Sequence, residues 1–155
     1  EREKLQKYII EHNLENISFK GRVEKKYIPN ILKRMDLNLF SLEHLPNLFK
    51  YGLSPNKMFD YFASGHPTVS NVECGYDLLE QYNCGITVQG GDPQALVDGI
   101  LKFYNMPEEE YNIYCQNALK AAEDFDFKVL SNKLEEIIKE LYPENKEEKH
   151  ANTIN

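Results

Sequence analysis

The stretch that most restricts the fold is Tyr51-Gly52-Leu53-Ser54-Pro55-Asn56-Lys57-Met58-Phe59-Asp60-Tyr61-Phe62-Ala63-Ser64-Gly65-His66-Pro67. It reads as a loop, a capped helix and the approach to a strand. Ser54 suits the N-cap, and Pro55 suits the first helical position, where a missing N–H costs nothing. Gly65 can close the helix in a left-handed conformation, and Pro67 prevents continuation. At about 100° per residue, Asn56, Lys57, Asp60 and Ser64 share one face, while Met58, Phe59 and Phe62 take the opposite one. The second face is for burial. The first offers an anion free N–H groups, a positive dipole end and a lysine. Asp60, one turn deeper, is placed to accept hydrogen bonds from sugar hydroxyls. Together these features point to a nucleotide or nucleotide-sugar site.

The flanking segments alternate between the two periodicities. Leu5, Tyr8 and Ile9 predict a helix over about residues 2–13. Ile17-Ser18-Phe19-Lys20 alternates and meets Gly21, which predicts a short strand and a tight turn. A helix over about 24–35, a strand at Leu37–Phe40 and a polar and aromatic loop over 41–53 lead to the central helix. Beyond it come a strand at Thr68–Ser70, a short helix over 76–82 and a strand at Ile86–Val88. Asp92, followed by Pro93, caps a helix reaching about Asn105. Two further helices cover about 107–123 and 127–142, separated by Asp124-Phe125-Asp126. The polar tail 143–155 is expected to be disordered. Strands alternating with helices predict an α/β fold: a Rossmann-like parallel sheet with helices on both faces, followed by C-terminal helices. In such sheets ligands bind beyond the carboxyl ends of the strands, where the loop after Phe40 and the helix from Ser54 fall.

Composition narrows the partners. Among 155 residues the net charge is −7, so wholesale nucleic-acid binding is disfavoured. No apolar run approaches the roughly 20 residues that span a bilayer. Cys74, Cys84 and Cys115 are odd in number and lack metal or redox spacing, which reads as unpaired thiols. The chain opens directly into a helical pattern at Glu1-Arg2-Glu3-Lys4, as a fragment of a longer protein would.

Six landmarks in register extend the reading. They are Phe19-Lys20-Gly21-Arg22-Val23, Ile28-Pro29-Asn30-Ile31-Leu32, Met35-Asp36-Leu37-Asn38-Leu39, Ser54-Pro55-Asn56-Lys57-Met58-Phe59-Asp60-Tyr61, Ala63-Ser64-Gly65-His66-Pro67-Thr68-Val69 and Gly91-Asp92-Pro93-Gln94-Ala95-Leu96. From Ile17 to Ile138 the chain resembles the C-terminal, donor-binding domain of family 4 glycosyltransferases, which pair two Rossmann domains in the GT-B fold. The Ser-Pro-Asn-Lys form looks most like the bacterial O-antigen and capsule branch, including the L-fucosamine-type transferases.

The resemblance implies a retaining, metal-independent sugar transfer from a nucleotide-sugar, with UDP-sugar as the expected donor, to a glycan or lipid-linked acceptor. It implies no cofactor and no metal. Asp60 matches the second acid of the family's Glu-x7-Glu motif and would hold the ribose hydroxyls. Gly52, Leu53, Ser54, Pro55, Asn56 and Lys57 would approach the diphosphate and donor sugar, and Gly21, Arg22 and Val23 the base. The motif's first acid is replaced by Gly52. Residues 1–142 would then form a partial nucleotide-sugar-binding domain, inactive alone, with its catalytic groups upstream and on a missing N-terminal Rossmann domain. The expected location is the cytoplasm, with any contact to the inner membrane face made by that absent domain. In the family's strand order 3-2-1-4-5-6, Ile17–Lys20 is the third strand, so the first two are expected to be missing. Two alternatives remain open: a 2-epimerase-type enzyme on the same fold, and a non-catalytic nucleotide-binding module.

The bland readings stay beside these. Lys57 and Asp60 at i,i+3 fit a surface ion pair. Arg22 fits an exposed turn residue, His44 and His66 fit cleft-lining or surface positions, and Tyr104, Tyr111 and Tyr114 fit packing.

Overall fold

The computed structural model describes residues 1–45 and 47–142. The predicted disorder of 143–155 lies outside the described residues. Among the described residues, seven helices and three strands follow in the order α1 (Arg2–Glu11), α2 (Ile28–Leu32), β1 (Asn38–Phe40), α3 (Asn56–Ser64), β2 (Thr68–Ser70), α4 (Leu78–Tyr82), β3 (Gly85–Thr87), α5 (Pro93–Tyr104), α6 (Glu108–Asp124) and α7 (Phe127–Leu141). A single 3₁₀ turn, Lys25–Tyr27, runs into α2. The strands form one parallel sheet in the order β1-β2-β3, with Leu39 opposite Val69 and Val69 opposite Ile86.

One predicted strand is absent. Ile17–Lys20 is irregular, with Ile17 47% and Phe19 40% exposed. Its alternation is real, but a strand needs a ladder partner for its N–H and C=O groups, and none lies beside it. Gly21 does make the tight turn, at φ +76°. β1 therefore stands at one edge of a sheet whose three strands are contiguous, as the last three of the order 3-2-1-4-5-6 would be.

Both faces of the sheet are covered, because successive side chains of a strand point to opposite sides. Val69 faces one way, into a cluster with Phe103 of α5 and Tyr114 of α6, joined by Ile86 and Val88. Phe40 faces the other, into a larger cluster of Met58 and Phe62 of α3, Leu78 and Leu79 of α4, and Ala118 and Ala121 of α6. α6 thus belongs to both clusters. Its Ala118 and Ala121 have no exposed surface, and their small side chains let it lie close against α3.

Local sequence explains most element ends. Asp92 Oδ1 accepts from Gln94 N at 2.9 Å to start α5, and Asp77 Oδ1 accepts from Leu79 N at 2.8 Å to start α4. Gly65 ends α3 at φ +73°, in the left-handed region that a glycine enters without penalty.

Cys84 sits between α4 and β3 with no exposed surface, and burial pushes its thiol up to about 12. In the unfolded chain this thiol ionises at an ordinary value. Above about pH 9 the unfolded state therefore loses a proton that the folded state keeps, and stability falls as pH rises, by about 1.4 kcal/mol per pH unit for this one group. Urea unfolding between pH 9 and 11 is expected to show that slope in excess of the slope of Cys84→Ala. Equal slopes for the two proteins would contradict it.

Candidate functional site

The carboxyl ends of the three strands open onto a concavity of about 710 Å³. Each strand's following loop contributes a wall: His44 and Lys50 after β1, Glu73, Cys74 and Gly75 after β2, and Val88, Gln89 and Gly90 after β3. Beside it a narrow crevice, lined by Leu53, Pro55 and Met58 at the start of α3, shares Cys74 and Thr87 with the larger hollow. The crevice and the larger hollow thus have Cys74 and Thr87 as common walls.

α3 starts one residue later than its sequence suggests. Pro55 is the N-cap, at φ −75° and ψ 138°, and no side chain caps the helix. Because Pro55 itself takes the extended conformation of a capping residue, Ser54 falls one position outside the helix and its hydroxyl caps no first-turn amide. The backbone N–H groups of Asn56 and Lys57 consequently have no partner among the described residues. Lys57 Nζ lies 5.4 Å from the centroid of the Phe40 ring, so its ammonium is held at the carboxyl end of β1. Lys57 and Asp60 do not pair with each other. Among the described residues no hydrogen bond or ion pair engages the Asp60 carboxylate, which stands exposed one turn along.

Ser64 departs from its predicted face. It is buried, accepts from Asn38 Nδ2 at 3.1 Å and donates to Tyr61 O at 2.6 Å, tying the end of α3 to β1. Asn38 Nδ2 also donates to His66 O. The exposed stripe of α3 is therefore Asn56, Lys57, Asp60 and Ala63.

Gly52 has φ +114°, and a side chain there would press on Tyr76 Cβ at 3.0 Å. The loop that carries it is closed by Gly52 N donating to Phe49 O at 3.0 Å and Gly75 N donating to Phe49 O at 3.2 Å. Gly21, Arg22 and Val23 are not among the residues that line this cleft. Arg22 and Val23 line a separate hollow of about 700 Å³ with Glu24, Lys25 and Ile28. His66 is occupied structurally: Nε2 faces Lys33 O at 3.2 Å and Nδ1 faces the Tyr111 hydroxyl at 3.1 Å, while that hydroxyl donates to Asp36 O at 2.7 Å. Burial raises the Tyr111 hydroxyl well above its ordinary range, with Cys115 adding to the shift.

His44 lines the cleft, one of the two positions its sequence context suggested, but sequence reasoning missed its grouping with Glu73 and Gly90. Glu73 Oε2 accepts from Gly90 N at 3.0 Å and lies 3.7 Å from His44 Nδ1. Any side chain at 90 would strike His44, so the Gly90-Gly91 pair was the available signal. Asp124 and Asp126 are engaged elsewhere: Asp124 accepts from the Tyr82 hydroxyl, and Asp126 caps α7. Among the described residues, no group of three or more His, Cys, Asp or Glu is placed to hold a metal ion. No helix of the described residues is long and apolar enough to cross a membrane.

A parallel α/β sheet covered on both faces, with its cleft at the strands' carboxyl ends, matches one half of a GT-B glycosyltransferase fold. The chain belongs to the family described as glycosyl transferases group 1, whose model matches residues 1–106. Among solved structures it is similar to sucrose-phosphate synthase from Thermosynechococcus elongatus, with a TM-score of 0.67 at 16% identity. The match covers 91% of this chain and 34% of that one, so the chain spans about a third of the length of that protein. A comparison with curated protein sequences found no match.

Proposed function

We propose that this chain is the donor-binding half of a retaining, metal-independent glycosyltransferase. It would take a hexosyl or N-acetylhexosaminyl group from a UDP-sugar and deliver it to a glycan or lipid-linked acceptor of bacterial surface polysaccharide, of the O-antigen and capsule type. The observation that carries this reading is the exposed stripe of α3. Two unpartnered first-turn amides, the Lys57 ammonium and the unengaged Asp60 carboxylate all lie on one helix at the carboxyl end of β1.

A departing nucleoside diphosphate gathers negative charge as the glycosidic bond breaks. Fixed N–H dipoles and an ammonium at a helix N-terminus stabilise that charge without reorganising. Asp60 suits the ribose, because a free carboxylate accepts from two neighbouring hydroxyls. Leu53 and Ser54 bring the loop backbone to the same end, and the turn Gly21–Val23 offers its own hollow to a base. Residues 1–142 act in this reading as a partial domain, completed by a second Rossmann domain that carries the acceptor and the remaining catalytic groups. The intact protein would work in the cytoplasm, with any contact at the inner face of the membrane made by that second domain.

Calorimetric titration of the intact protein with UDP and with GDP tests the reading. UDP is expected to bind roughly tenfold or more tightly than GDP, since one differing set of base hydrogen bonds is worth about 1.5 kcal/mol or more. Absence of UDP binding would sink it. Incubation with a UDP-sugar and no acceptor separates the 2-epimerase alternative, which alone would form an epimer.

A further inference from the structure

We propose that Glu73 is the residue that recognises the donor sugar, holding its ring hydroxyls in the large concavity beyond the first turn of α3. This rests on the donor-site reading and goes one step further, from the nucleotide to the sugar.

The concavity has the volume of a small-molecule site, about 710 Å³, and its walls Cys74 and Thr87 also line the crevice that Leu53 and Pro55 border just before α3. A sugar linked to a diphosphate seated on the amides of Asn56 and Lys57 would extend into it. Glu73 is the single carboxylate among its lining residues. A carboxylate is suited to neighbouring hydroxyls because it offers several acceptor positions and no donor.

Glu73 is also held in place. Oε2 is anchored by the backbone N–H of Gly90 and faces the His44 ring, while Oε1 has no partner among the described residues. One oxygen fixes the group and the other is left for a ligand. His44 and Lys50 line the same hollow and supply the complementary donors to ring or hydroxyl oxygens. Gly52 carries no side chain and contributes none of this chemistry.

The test uses the intact protein with UDP, UDP-glucose and UDP-N-acetylglucosamine as calorimetric probes. Glu73→Gln keeps an oxygen for Gly90 N–H and removes the charge. UDP affinity is expected to stay within about twofold, while affinity for the preferred UDP-sugar falls roughly tenfold or more, as loss of hydrogen bonds to a charged group predicts. Glu73→Asp, which withdraws the carboxylate by one methylene, should show the same selective loss and serves if the glutamine variant folds poorly. Equal losses for UDP and UDP-sugar, or no loss for either, would overturn the assignment while leaving the donor-site reading intact. A loss confined to acceptor KM would also overturn it. If the unsubstituted protein binds no UDP, the donor-site reading fails and the assignment falls with it.

Discussion

Asp60→Ala in the intact protein is expected to weaken UDP binding by about 10- to 100-fold and to lower sugar transfer at least as much. The reason is that a hydrogen bond to a charged group is worth about 1.5–3 kcal/mol. The expected specificity of the effect is more telling than its size. Asp60 is exposed, and within the described residues nothing engages its carboxylate, so alanine removes no internal bond. Stability should stay within about 0.5 kcal/mol of the parent. Calorimetry with UDP and thermal melting of the same samples check both halves. Unchanged UDP affinity and unchanged transfer would remove Asp60 from the site and favour a non-catalytic module.

Gly52→Glu places an acidic residue eight positions before Asp60, and it is expected to destabilise. The backbone at Gly52 has φ +114°, far from the small left-handed region that other residues tolerate, and a side chain would meet Tyr76 Cβ at 3.0 Å. Strain of this kind costs about 1–3 kcal/mol. For a chain of this size, that corresponds to a fall in Tm of roughly 4–10 °C. Gly52→Ala should show much of the same fall, because the backbone term does not depend on the carboxylate. A melt of Gly52→Glu that matches the parent, accompanied by tighter UDP-sugar binding, would show that the loop relaxes and accepts the acid. Glycine at 52 is therefore a backbone matter first: the turn from Phe49 to Gly52 takes a conformation that disfavours a side chain.

What was legible in the sequence was what short stretches decide alone. Asp92-Pro93 starts α5 because its cap reaches only two residues along the chain, and Gly65 ends α3 for an equally local reason. The burial of Met58 and Phe62 followed from helical spacing. Ile17–Lys20 failed because pairing is not written in a strand's own residues. Ser64 failed because its fate depends on Asn38, 26 positions away, whose amide draws the hydroxyl inward. Ser54 failed because Pro55 takes the extended capping conformation itself, which leaves the serine one position outside the helix. In the cleft, the stripe of α3 could be read from its sequence. The grouping of Glu73 and Gly90 with His44 could not, because three separate loops bring them together.

α6 gives the two sides of the sheet a common fate. Tyr114 near its start belongs to the cluster under Val69 and Phe103, while Ala118 and Ala121 belong to the cluster under Phe40 and Phe62. A disturbance that loosens the α5 side therefore draws on the helix that braces α3 from behind. The first turn of α3 is steadied by packing on the far side of the strands, so the firmness of the candidate site is a property of the whole layered domain.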